Sequence, residues 1–110
     1  GRIMPLFIAV HKWKPQDEIA IMKELVAGYA AIVGGKGPKG VELCATYSTA
    51  AQGAFCVWKA PSKADVEKAF DQFAPTLKKY TEFVPVEQSY PPTMEYVLSL
   101  WQQWVKAASK

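Results

Sequence analysis

Leu6-Phe7-Ile8-Ala9-Val10-His11 is an apolar run of strand length with no polar alternation, which predicts a strand covered on both faces. The pattern then lengthens to a helical period. Ile19, Met22, Val26, Tyr29 and Val33 recur at spacings of three and four, predicting an amphipathic helix that buries that stripe. Lys14-Pro15-Gln16-Asp17 suits its start and Gly34-Gly35 its end, with Lys36 to Gly40 as an irregular connector. Val41 to Tyr47 and Gly53 to Lys59 read as a hairpin around the polar turn Ser48 to Gln52. A turn centred on Ala50 sets Cys44 opposite Cys56, Leu43 opposite Val57 and Tyr47 opposite Gly53. A second helix opens at Ser62, capped with Asp65, and buries Val66, Ala69, Phe73, Leu77 and Tyr80, with a break at Pro75. Phe83 to Gln88 predicts a fourth strand, which Pro85 confines to an edge. Tyr90-Pro91-Pro92 reads as a stiff break. Thr93 then caps a last helix whose apolar face is Met94, Val97, Leu98, Trp101, Trp104 and Val105.

The order strand, helix, strand, strand, helix, strand, with right-handed crossovers, predicts an α+β, ferredoxin-like βαββαβ domain. Its antiparallel sheet has the spatial order 4-1-3-2 with two helices on one face. The domain spans residues 4–110, with 4–88 as core and 93–108 as an appended helix; Gly1-Arg2-Ile3 are set aside as an added leader before Met4. Leu6, Ile8 and Val10 are expected to face the helices, while Phe7, Ala9, His11 and Trp13 point to the open face. There they join Leu43, Ala45, Tyr47, Phe55 and Val57, leaving Cys44, Cys56 and Trp58 beneath the helices. So apolar an open face calls for cover. Sheet-to-sheet homodimerisation supplies it, the last helix sealing a rim or crossing to the partner.

Half of the 110 residues are apolar and about a fifth charged, the composition of one globular domain. A net charge of +3 is too small to argue for nucleic acid, and no run is long enough for a membrane helix or ordered as a signal peptide. A cytoplasmic location follows as the expectation. Two cysteines without a Cys-x-x-Cys spacing suggest neither a disulfide framework nor zinc.

His11, the one histidine, is the candidate general base or ligand, weighed against a strand-end imidazole bonded to backbone or water. A single histidine without companions makes no metal site. Cys44 and Cys56 could pair across strands but read better as core. The loop Gly34 to Gly40 follows a helix instead of preceding one and so loses the dipole end that favours anions. Phe7 and Phe55 occupy the strands on which the RNA-recognition module stacks bases, yet Val41 to Val57 carries no lysine or arginine. Pro5 after Met4 has the position of a tautomerase's catalytic proline, but the direct hairpin departs from that family's paired βαβ halves.

Pro5-Leu6-Phe7-Ile8-Ala9-Val10-His11, Pro38-Lys39-Gly40-Val41, Gly53-Ala54-Phe55-Cys56-Val57-Trp58-Lys59-Ala60 and Phe83-Val84-Pro85-Val86 together resemble the dimeric α/β barrel proteins, most of all their short ferredoxin-like members. These are packing and turn motifs, covering roughly Met4 to Gln88. The resemblance implies a pocket between sheet and helices or within the dimer barrel. The superfamily includes cofactor-free monooxygenases, haem-degrading enzymes and small metal-binding proteins, the last two using histidine ligands that this chain lacks beyond His11. The expected function is a small homo-oligomer binding an apolar or aromatic small molecule against Phe7, His11, Trp13, Leu43, Tyr47 and Phe55 on the open face. A monooxygenase-type enzyme in which His11 assists deprotonation, and a purely structural module, are the alternatives. The residues name no cofactor.

Overall fold

A central strand, β1 (Leu6–Lys12), hydrogen-bonds to β3 (Gly53–Lys59) on one side and β4 (Thr81–Val86) on the other, with β2 (Glu42–Ser48) beyond β3. The computed structural model describes residues 4–88 and 93–109, so Gly1-Arg2-Ile3 and Tyr90-Pro91-Pro92 lie outside the described residues. All three pairings are antiparallel, and the sheet order is β2-β3-β1-β4, which counted from the other edge is β4-β1-β3-β2. A 3-10 turn (Pro15–Asp17) leads into α1 (Glu18–Val33). The helix α2 (Lys63–Phe73) and the short α3 (Pro75–Lys78) join β3 to β4, and α4 (Met94–Ala108) follows. The chain is thus an α+β domain built on an open four-stranded sheet.

Local chemistry sets most of these boundaries. Ser62 Oγ accepts from the Asp65 N–H at 3.3 Å while its hydroxyl donates to the Asp65 carboxylate at 2.6 Å, so α2 starts where the Ser-x-x-Asp signature places it. Thr93 Oγ1 accepts from the Tyr96 N–H at 3.1 Å and starts α4 in the same way. Pro75 ends α2 at Phe73 and opens α3, where its missing N–H costs nothing. The next two N–H groups, of Thr76 and Leu77, donate to the Glu24 carboxylate of α1 at 3.0–3.1 Å. Pro85 sits in an edge strand, as expected, although β4 begins and ends two residues earlier than Phe83 to Gln88.

The faces of β1 are the reverse of those expected. Phe7 lies opposite Trp58, Ala9 opposite Cys56 and His11 opposite Ala54, and these residues are buried beneath the helices. Leu6, Ile8 and Val10 lie on the open face with Phe55 and Val57. An unbroken apolar run carries no parity signal, and side-chain volume decides instead. Phe7, Trp58 and Phe83 from three strands, with Phe70 of α2, fill the space between the layers. Phe70 meets Trp58 edge-on at 5.7 Å and Phe83 at 5.1 Å.

The hairpin differs from its expected register by two residues, with Tyr47 opposite Phe55 and Thr46 opposite Cys56. A slip of two preserves the faces, so Ala45, Tyr47, Phe55 and Val57 do share the open side. An irregularity between Leu43 and Ala45 then turns Leu43 to the helix side, opposite Trp58, and leaves Cys44 exposed. Cys44 and Cys56 are therefore not neighbours, and both are free thiols. On α1 the expected stripe is only partly turned inward: Met22, Val26 and Tyr29 border the spaces between helix and sheet, and Ile19 and Val33 do not. Ile21 is its buried residue, Leu25 packs against the core, and Ile19, Val26 and Val33 are exposed. That helix is apolar around most of its circumference, so periodicity alone does not select a face. On α2 and α3, Val66, Ala69 and Leu77 are buried as expected, whereas Phe73 and Tyr80 are half-buried and Phe70, outside the expected stripe, is buried.

Candidate functional site between sheet and helices

The reversal of β1 carries His11 from the open face to the interior. Its side chain is 3 % exposed, and its ring lies 5.5 Å from that of Phe70. Nδ1 is 2.7 Å from Thr81 Oγ1 on the neighbouring strand, and the Thr81 hydroxyl donates to the Leu77 carbonyl at 2.7 Å. A carbonyl can only accept, so the single threonine proton is committed to Leu77, and Thr81 must accept from His11 Nδ1–H. This fixes the neutral tautomer and leaves Nε2 with a free lone pair. Nε2 is buried and has no hydrogen-bond partner. Burial in apolar surroundings holds the imidazole pKa down to about 4, so it is uncharged at neutral pH.

Nε2 belongs to a residue lining a cavity of about 50 Å³ between the sheet and the helices, with Trp58, Phe70, Leu77, Glu24 and Tyr29 among its other walls. The Trp58 indole N–H is likewise buried without a partner. His11 and Trp58, whose unpartnered ring nitrogens are both buried, thus belong to the wall of one predominantly apolar cavity. A broader groove of about 510 Å³ runs between α1 and the β2–β3 hairpin, bordered by Trp13, Met22, Val26, Thr46 and Ser48. Leu25, Tyr29 and Cys56 line both spaces and form the wall between them. Across that wall the Tyr29 hydroxyl meets Thr46 Oγ1 in a hydrogen bond, and Cys56 Sγ lies 3.9 Å from Tyr29 Oη and 3.8 Å from Thr46 Oγ1. Burial pushes both the Tyr29 phenol and the Cys56 thiol above their ordinary pKa values, so neither is an anion near neutrality. Cys56 is therefore a packed thiol, not an activated nucleophile.

Of the residues expected to form one open-face pocket, the sheet separates two groups. His11 lines the inner cavity and Trp13 the groove, while Phe7 and Leu43 pack in or against the core near Trp58. Tyr47 and Phe55 stand on the opposite face and cannot share a pocket with them. Sequence reasoning missed Glu24, Tyr29, Phe70 and Thr81. The signal for the first two was diluted in a helix apolar on several sides, and Thr81 lay just outside the strand assigned by pattern. Comparison of the chain with family models, with curated proteins and with solved structures finds no match. Among the described residues no group of three or more histidine, cysteine or acidic side chains is placed to hold a metal ion. No described helix is long and apolar enough to cross a membrane.

Proposed function

We propose that this protein binds a small aromatic molecule carrying a hydroxyl or N–H group in the space between its sheet and helices, with His11 Nε2 accepting the ligand's hydrogen bond. The observation carrying this reading is the buried lone pair of Nε2, held in one tautomer by Thr81 and Leu77. A desolvated acceptor left unpaired costs about 1–3 kcal/mol, which a ligand donor recovers on binding. The groove is within the size range of small-molecule sites and takes the body of the ligand. The inner cavity is smaller than the roughly 150 Å³ that accommodates benzene, so it receives the polar end once Tyr29 swings aside. A reducing, cytoplasmic setting belongs to this reading.

Binding is better supported than oxygenation with His11 as base. A general base works best with a pKa near the operating pH, and burial holds this imidazole at about 4, far below a phenol's ordinary value near 10. The test is a titration of isotopically labelled protein with simple phenols and hydroxyindoles, observed at the imidazole nitrogens. Binding should shift Nε2 far more than Nδ1, and His11→Phe should weaken the same ligand about 5- to 30-fold. If no compound at millimolar concentration moves the His11 and Tyr29 signals, the proposal fails. Turnover in air that His11→Phe abolishes, with ligand affinity retained, would favour the oxygenase reading instead.

A further inference from the structure

Two apolar surfaces of this chain face away from its core, and their dimensions match. One is the open side of the sheet, where Leu6, Ile8, Val10, Phe55, Val57 and Val84 are all at least partly exposed. The other runs along α4. Val97 is the one buried residue of that helix, and the Tyr96 hydroxyl donates to the Glu87 carboxylate at 3.2 Å, so these two side chains turn toward the domain. Met94, Leu98, Trp101 and Val105, spaced four, three and four apart, form a stripe on another side, and each is more than half exposed. The molecule is elongated accordingly, at 51 × 34 × 22 Å. Its radius of gyration is 16.6 Å, where a compact chain of about this size has about 13 Å.

We propose that α4 of each protomer lies across the open sheet face of a second copy of this chain, in a reciprocal twofold dimer. The lengths agree. From Met94 to Val105 the stripe rises about 16 Å, and four strands span about 14 Å between their outer axes. The charges agree as well. Glu95 and Lys106 flank the stripe on one side, about 16 Å apart along the helix. On the open face Lys59 lies opposite Leu6 and Glu82 opposite Val10, four residues along β1 and two strands apart, a diagonal of about 16 Å. Laid along that diagonal, α4 brings Glu95 to Lys59 and Lys106 to Glu82. Among the described residues none of these four is in an ion pair, even though Glu42 lies across from Lys59.

Area is sufficient too. A stripe of four apolar side chains that includes a tryptophan, with Trp104 at its margin, offers on the order of 400 Å². An equal area of sheet, doubled by the twofold, reaches the roughly 1,600 Å² of a stable interface. Sheet-on-sheet pairing would leave Trp101 in water, and pairing α4 with α4 would leave the sheet bare. Reciprocal docking covers both surfaces with one contact.

The test uses the full chain with exchanged charges. Glu82→Lys alone sets Lys106 against a lysine in the homodimer, and Lys106→Glu alone sets two glutamates together; a dimer of one variant with the other restores opposite charges at both contacts. Native mass spectrometry of the mixture, with one variant nitrogen-15 labelled, should show the mixed dimer well above its statistical one-half, and each variant alone should dimerise several-fold more weakly than the parent. A statistical mixture overturns the proposal, as does a parent chain that stays at 12.2 kDa by light scattering at tens of micromolar. Trp101→Asp and Val57→Lys should each weaken dimerisation by at least about 30-fold. Loss with Val57→Lys only means sheet-on-sheet pairing, loss with Trp101→Asp only means helix-on-helix pairing, and either overturns reciprocal docking.

Discussion

His11 should make the folded protein progressively less stable as the pH falls, through a window set by burial. In the unfolded chain its imidazole titrates near its ordinary 6.5, and in the fold at about 4, because desolvation penalises the charged form. Between those values the unfolded state binds a proton that the native state refuses, so the free energy of unfolding declines as pH drops. The loss is absent above about pH 6.5 and complete below about 4. At about 1.4 kcal/mol per pH unit the imidazole alone removes about 3 kcal/mol, a large share of the roughly 5–15 kcal/mol that holds a typical domain together. Urea unfolding of the parent and of His11→Phe, measured in steps from pH 7 to pH 4, isolates this contribution, since carboxylates act on both proteins and cancel in the difference. The parent should lose about 3 kcal/mol more than the variant over that interval. Parallel curves would refute the reasoning, as would a native His11 resonance titrating near 6.5. Should His11→Phe fail to fold, that resonance decides the matter in the parent alone.

Two structural predictions accompany it. A Cβ at Gly53 would lie 2.8 Å from Thr49 Oγ1 and 2.9 Å from the His11 carbonyl oxygen, and the latter is backbone held in the sheet. Gly53→Ala should therefore cost about 1–3 kcal/mol in a denaturant titration, and an unchanged midpoint would show that the hairpin yields there without strain. Leu77 is 1 % exposed among the aromatic core residues, so Leu77→Ala should cost about 2–5 kcal/mol by the same measurement, and a loss under 1 kcal/mol would mean that the core collapses around the gap.

Elements governed by local chemistry were legible in the sequence. Ser62 with Asp65, Thr93, Pro75 and Pro85 each act through one or two local hydrogen bonds or one missing donor, and each does what its residue type predicts. The element order and the open antiparallel sheet followed from them. Choices between two equally apolar faces were not legible. In β1 every position from Leu6 to Val10 is apolar, and in α1 both the Ile19–Val26 side and the Ile21–Leu25 side are, so the pattern was degenerate where the site is built. Volume broke the tie, drawing Phe7, Trp58, Phe70 and Phe83 together and pulling His11 in with them. The irregularity at Cys44 was hidden for a related reason. Its effect, turning Leu43 toward Trp58, depends on what lies across the strand pair and has no signature within β2.

The reversal of β1 also separates the two proposed roles, ligand binding and self-association, that an open-face pocket would have merged. With His11, Trp13, Tyr29 and Cys56 on the helix side, a ligand there touches none of Ile8, Val10, Tyr47, Phe55 or Val57. A pocket shared by both faces would have made ligand affinity and self-association inseparable, since each would compete for the same apolar side chains. Here one sheet stands between them. Direct contact cannot carry coupling across it, and only a shift of the strands themselves could do so. Glu82→Lys, on the outer face of edge strand β4, should therefore weaken the proposed association without displacing Thr81, whose hydroxyl fixes the His11 tautomer from the other face of the same strand. An Nε2 resonance that stays in place while the dimer dissociates is what two independent faces require. If that resonance moves with dissociation, β4 is a hinge shared by binding and assembly, and the Thr81–His11 hydrogen bond is where the motion would register.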